Sequence, residues 1–167
     1  MHDREYYLGL RARYLPRDIR LIIVAESPPV SGKYFYDPAG RPTEPLFRAL
    51  MRDVLGITPT AKPEGLEAFA KAGYVLVDAT YRPVNALSET QRGQIILADY
   101  PVLKQDLLTL PGIQNSKILL IKMNVCRLLE EKLLTDGFNV INRGTAIPFP
   151  AAGNQAKFRA RIAPLLK

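Results

Sequence analysis

The densest group of chemically capable side chains is the stretch Ala25-Glu26-Ser27-Pro28-Pro29-Val30-Ser31-Gly32-Lys33-Tyr34-Phe35-Tyr36-Asp37-Pro38-Ala39-Gly40. Glu26 follows a β-branched run, so it is an acid at a strand end, placed to activate water as a general base or to orient a substrate. It reads also as an exposed loop acid or a helix N-cap. Phe35 and its Tyr neighbours offer rings for stacking on a planar ligand, or they pack over a sheet edge. Ser31-Gly32-Lys33 invites a phosphate-loop reading and fails it. The first Gly of that pattern falls at Ser27, and Tyr34 stands where a Ser or Thr would reach magnesium. No G-x-G-x-x-G follows any strand-like run, so the dinucleotide fingerprint is absent as well.

The rarest residues exclude further chemistries. The one Cys, Cys126, rules out an internal disulfide, a C-x-x-C zinc site or an iron–sulfur cluster held by this chain alone. The one His, His2, is expected in a mobile N-terminus, which sets aside a Ser–His–Asp triad, a Cys–His dyad and a His-based metal site. No metal and no cofactor is expected. The 167 residues carry a net charge of +7, which favours an acidic partner, nucleic acid being the commonest. Between Phe138 and Lys167 there is no acid, while Arg143, Lys157, Arg159, Arg161 and Lys167 are basic. Arg4, Arg11, Arg13, Arg17 and Arg20 crowd the first twenty positions. No apolar run reaches membrane-spanning length, and the Arg-rich start lacks the apolar stretch of a signal peptide; a cytoplasmic monomer is expected.

The elements that must position these residues alternate along the chain. Arg20–Ala25, Tyr74–Asp78 and Lys117–Ile121 are short apolar runs of strand length, and Phe138–Ile141 is a shorter fourth. Continuous rather than alternating apolar runs suggest a sheet covered on both faces. Helical patterns lie between them. One is capped by Thr43, with Leu46, Phe47, Leu50, Met51 and Val54 on one face; a second runs from about Glu64 to Ala72, ended by Gly73. A third follows Ser88 to about Leu110 and is interrupted at Pro101; others span Asn124 to Leu134 and start near Asn154. Strands separated by helices imply right-handed crossovers and a parallel sheet. The expectation is one α/β domain over residues 1–167: a three-layer, doubly wound fold with a central four-stranded parallel sheet. In such folds the ligand lies beyond the carboxyl ends of the strands, which selects Glu26 to Asp37, Asp78 to Asn85, Met123-Asn124 and Asn142 to Asn154.

Four of these segments, in order, resemble the signatures of the uracil-DNA glycosylase superfamily, especially the branch whose first strand ends in Gly-Glu-Ala-Pro-Gly. The counterparts are Ala25-Glu26-Ser27-Pro28-Pro29 with Lys33 to Gly40, Val75 to Asn85 with its Arg82-Pro83 and Asn85, Lys117 to Ile121, and Ile147-Pro148-Phe149-Pro150-Ala151-Ala152-Gly153-Asn154. The resemblance implies roles. Glu26 matches the acid that orients or activates the attacking water, and Phe35 the ring that stacks on a flipped uracil. Asp78 falls one position from an Asn that reads the base edge. The 148–154 loop would enter the minor groove and hold phosphates, Asn154 lying at the start of the last helix, and Lys157 and Arg161 would add charge there. There are departures. Tyr81 stands where the iron–sulfur branch has a cluster Cys. Phe149 stands where the most active branches have the His that stabilises the departing base, and Ser27 where the fastest have an Asp. Backbone N–H groups or Arg82 would have to supply that stabilisation.

The resemblance therefore implies a monofunctional DNA glycosylase-like enzyme that flips a deaminated or damaged base and hydrolyses its N-glycosidic bond. Phe35, Ser27, Asp78 and Phe149 would meet the base and Glu26 the water, while Arg82, Asn154, Lys157 and Arg161 would meet the DNA. Two other readings stand beside it: a binding module for nucleic acid on the same fold without activity, and a small α/β enzyme acting on a nucleotide or nucleobase.

Overall fold

The computed structural model describes residues 2–167. Three strands, β1 (Leu21–Ala25), β2 (Tyr74–Asp78) and β3 (Lys117–Leu120), form a parallel sheet in the order β2-β1-β3. Leu21 pairs with Tyr74 on one side and Lys117 on the other, and Ala25 pairs with Asp78. Every residue of β1 is buried, and all but the first of β2 and β3. Successive side chains point to opposite faces, so both faces of the sheet are covered. The expected fourth strand is reduced to a single parallel bridge between Val140 and Ile118, on the outer side of β3. Ile118 donates to the Asn139 carbonyl and accepts from the Ile141 amide, and the chain then turns away at Asn142-Arg143-Gly144. The apolar run there is too short to extend the ladder, and Asn142 instead spends its side chain on the Leu120 backbone.

The helices lie close to their expected places. α2 (Pro45–Leu50) starts after Glu44 rather than a Thr43 cap, and widens into one π-helical turn, Met51–Leu55, that ends at Gly56. α3 (Lys62–Lys71) packs against it, and Gly65 marks the closest approach: a Cβ there would stand 2.5 Å from Phe47 and 2.8 Å from Met51. The long helical pattern after Ser88 divides into α4 (Glu89–Ala98) and α5 (Tyr100–Thr109), broken just before Pro101. Ser88 closes a capping box with Gln91. α6 (Met123–Thr135) and α7 (Gln155–Ile162) complete the set. The N-terminal α1 (Arg4–Ala12), capped by Asp3, has no counterpart among the sequence expectations. It sends Arg11 into the protein, where the guanidinium meets Asp106 of α5 through two hydrogen bonds of 2.8 Å and the Tyr81 hydroxyl at 3.1 Å. His2 is held rather than free, stacked on Tyr6 with ring centroids 3.6 Å apart. Among the described residues no helix is long and apolar enough to cross a membrane.

Candidate functional site

β1 delivers Glu26 to the carboxyl edge of the sheet, and the Thr80 amide donates to its backbone carbonyl. The side chain is only 5 % exposed and is engaged on both oxygens. Lys122 Nζ lies 2.7 Å from Oε1 and Asn124 Nδ2 lies 2.6 Å from Oε2, while Arg92 of α4 stands 3.7 Å from Oε2. One acid thus faces two cations, and the cluster carries an excess positive charge. Its geometry follows from the β3–α6 junction. Lys122 sits between strand and helix with φ 85° and ψ 136°, a conformation non-glycine residues rarely adopt. Its amide donates to the Ile147 carbonyl, and its ammonium lies 6.0 Å from the centre of the Phe149 ring.

Glu26 and Lys122 open into a cleft of about 340 Å³, at the low end of the range for small-molecule sites. The cleft is also lined by Ser27, Phe35, Asp78 and Phe149, so five of the residues selected from the sequence share one wall system. Their exposures differ. Phe35 is 5 % exposed and packs edge-on to Tyr36 and Phe69, so it presents a fixed rim to the cleft rather than a free platform. Phe149 is 37 % exposed and stands at the mouth. Ser27 accepts a hydrogen bond from the Val84 amide, which joins the first and second loops. The loop of residues 34–36 is anchored from beneath: the fully buried Lys62 donates to the Tyr34 carbonyl at 2.7 Å and to Glu44 at 3.1 Å. Burial holds the Lys62 ammonium below its ordinary pKa, and Glu44 works against that shift.

Asp78 forms the floor. Burial pushes its carboxyl up to about 8, opposed by the Arg11 charge and the nearby Tyr34 hydroxyl, so at neutral pH the group is largely protonated. Neither Asp78 Oδ2 nor Tyr34 Oη reaches hydrogen-bond geometry with any described residue. A neutral carboxyl has one donor and one acceptor, the same pair of functions as an Asn amide.

The remaining selected residues lie elsewhere. Arg82 is bound to Asp99 through two contacts of 2.7 and 3.0 Å and lines a second cleft, of about 370 Å³, with His2, Arg4, Thr80, Tyr81 and Asp106. Arg82 therefore does not line the Glu26 cleft. Asn154 precedes α7 half-buried and without a side-chain capping bond. Lys157 is exposed, and Arg161 donates to the Ala146 carbonyl. No group of His, Cys, Asp and Glu among the described residues is arranged to hold a metal ion. Two groups around Glu26, Lys122 and Arg92, escaped sequence reasoning, and a third, Asn124, was reached without its partner. The strand-end rule did reach Asn124, but nothing in the local sequence connects it to an acid 98 positions away.

With the geometry in place, comparison with known families, characterised proteins and solved structures yields one result. The chain matches none of them. The arrangement must be read from its own chemistry: a deep acid between cations, a neutral carboxyl floor, an aromatic rim, and an exposed ring at the mouth.

Proposed function

We propose that the protein flips a deaminated base of the uracil type out of DNA into the Glu26 cleft and hydrolyses its N-glycosidic bond. The observation that carries this reading is the convergence of Glu26, Ser27, Phe35, Asp78 and Phe149 on one cleft at the carboxyl ends of parallel strands. Uracil has a ring edge with an N–H donor between carbonyl acceptors. A neutral Asp78 supplies the matching acceptor and donor, which a charged carboxylate would not. The aromatic rim of Phe35 holds the ring plane, and Phe149 at the mouth fills the space that the base vacates.

The bond breaks through an oxocarbenium-like state in which the base leaves with negative charge. Glu26 keeps lone pairs free beyond those bound by Lys122 and Asn124, and these orient the attacking water and take its proton. The excess cation of the Lys122–Arg92–Glu26 cluster faces the same space and stabilises the departing anion, the task that Phe149 cannot perform. Lys33 at the rim, the 148–154 loop, Asn154, Lys157 and Arg161 supply basic and backbone N–H contacts for phosphates. On this proposal the core is a three-layer doubly wound unit, with the Val140 bridge as the remnant of a fourth strand.

Oligonucleotides carrying uracil, hypoxanthine or a G·T mismatch test this, with alkali used to cleave at any abasic product. The reading expects alkali-labile cleavage by the wild type and loss of it in Glu26→Ala. A second reading, a binding module without activity, is favoured by the hydrogen bond that each Glu26 oxygen already accepts from a side chain. Its signature is tight, salt-sensitive binding with no cleavage of any of the three substrates. Absence of DNA binding at low salt defeats both and leaves a site for a free nucleobase or nucleotide.

A further inference from the structure

Lys122 is placed as a nucleophile is placed. It occupies a sharp strand-to-helix turn between Leu120 of β3 and Met123 of α6, in a backbone conformation with φ 85° that costs free energy unless the surroundings enforce it. Other folds that use such a turn do so to push a reactive side chain above the sheet edge. The ε-nitrogen is within hydrogen-bond reach of a base, Glu26 Oε1 at 2.7 Å, and that base is held on its other oxygen by Asn124 at 2.6 Å. Nucleophile, base and orienting group in this order form the arrangement by which covalent catalysis is recognised. Arg92 stands 3.7 Å from the oxygen that Asn124 holds, on the far side of the carboxyl from Lys122. The Lys122 side chain is about one quarter exposed, and it lines the cleft with Phe149 beside it, so the amine is accessible from the mouth. A structural ion pair needs neither the strained backbone nor the access.

We propose that Lys122 forms an imine with the sugar aldehyde of an abasic site, which adds strand cleavage to base removal. The inference rests on the reading of the cleft as a base-excision site, because that reaction leaves a deoxyribose whose C1′ opens to an aldehyde. The ammonium proton passes to Glu26, and the nitrogen lone pair forms a bond to C1′. The carbonyl oxygen takes one proton from that nitrogen and one back from Glu26 and leaves as water, giving a protonated C=N bond. Glu26 then removes a proton from C2′. That electron pair forms the C2′–C3′ double bond while the 3′ phosphate leaves with the C–O bond pair. Hydrolysis of the imine restores the free amine. No oxidant or metal is required.

The test uses the full chain and a duplex with one preformed abasic site, treated with sodium borohydride to reduce any imine to a stable secondary amine. The expected result is a covalent protein–DNA adduct that peptide mass mapping assigns to Lys122. Lys122→Arg, which keeps the charge beside Glu26, loses the adduct, whereas Lys71→Ala, at an exposed lysine of α3 outside the cleft, keeps it. Thermal unfolding of each variant establishes that it is folded, and mapping on the wild type requires no variant. Absence of an adduct, or an adduct at Lys33 or elsewhere, overturns the inference. Base excision scored in parallel on the uracil duplex, with alkali, separates the two claims. Excision without an adduct removes the imine and keeps the glycosylase reading, while failure of both removes both.

Discussion

Two clefts of similar size meet at Asp78, and they spend their charges differently. In the cleft of Arg82, two acids each hold one arginine through two hydrogen bonds, Asp99 with Arg82 and Asp106 with Arg11 behind the wall, while Arg4 keeps a buried Nε without a partner among the described residues. In the cleft of Glu26, one buried acid serves Lys122, Asn124 and Arg92, and the Tyr34 hydroxyl and one Asp78 oxygen have no partner among the described residues. Saturated pairs hold elements together: the Arg11–Asp106 pair ties α1 to α5. Unsaturated polar groups beside open space are what a ligand completes. The volumes, about 370 and 340 Å³, do not separate the two, whereas the pairing of their acids does: Asp99 and Asp106 each hold one arginine, and Glu26 is shared by three groups.

Substitutions should divide along the same line. Glu26→Ala is expected to lower base excision by about 10²–10⁴-fold, the usual range for a lost acid–base group, in single-turnover cleavage of a uracil duplex. Arg11→Met is expected to cost ~3–5 kcal/mol of stability by leaving Asp106 buried and unpaired, read from urea unfolding. The double change Arg11→Met with Asp106→Leu should recover most of that loss, which would identify the second cleft as structural. Asp78 has a pH signature. Its folded carboxyl is raised above the unfolded value of 3.8, so its contribution is fully present below about pH 4 and is lost as pH rises through about 8. Asp78→Asn should flatten that part of the pH–stability profile and retain excision, while Asp78→Ala flattens it and loses excision. The smallest effect is expected from Arg82→Ala: less than about 1 kcal/mol, since the Arg82 side chain is largely exposed, with excision at the wild-type rate.

How much of this was legible in sequence depends on how local each signal was. The strands and most helices follow from short apolar runs and punctuation: Gly73 ends the turn after α3 with φ 83°, and Pro101 divides α4 from α5. The strand-end rule led to Glu26, Ser27, Asp78 and the segment containing Phe149, because a parallel sheet gathers strand ends whatever their distance in sequence. The partners of Glu26 were not legible. Lys122 and Asn124 lie 96 and 98 positions away, and the turn that presents Lys122 uses a residue type with no preference for positive φ. The aromatic run at Tyr34-Phe35-Tyr36 reads in sequence as stacking rings or as packing over the sheet edge, and the local residues do not choose; in the structure the Tyr36 hydroxyl accepts from the Leu76 amide and all three rings are buried. The missing fourth strand has a similar cause: its apolar residues predict burial, which Phe138 and Val140 have, but a ladder needs more backbone than the single bridge there.

The claim that the Glu26 cleft, and not its neighbour, is the working site is tested most directly by backbone amide resonances during titration with a short uracil-containing oligonucleotide. Shifts centred on Glu26, Lys33, Asp78, Lys122 and Phe149, with Arg4, Arg82 and Val102 unmoved, are the expected result. Shifts centred on Arg4, Arg82 and Val102, with Glu26 and Lys122 unmoved, would contradict it.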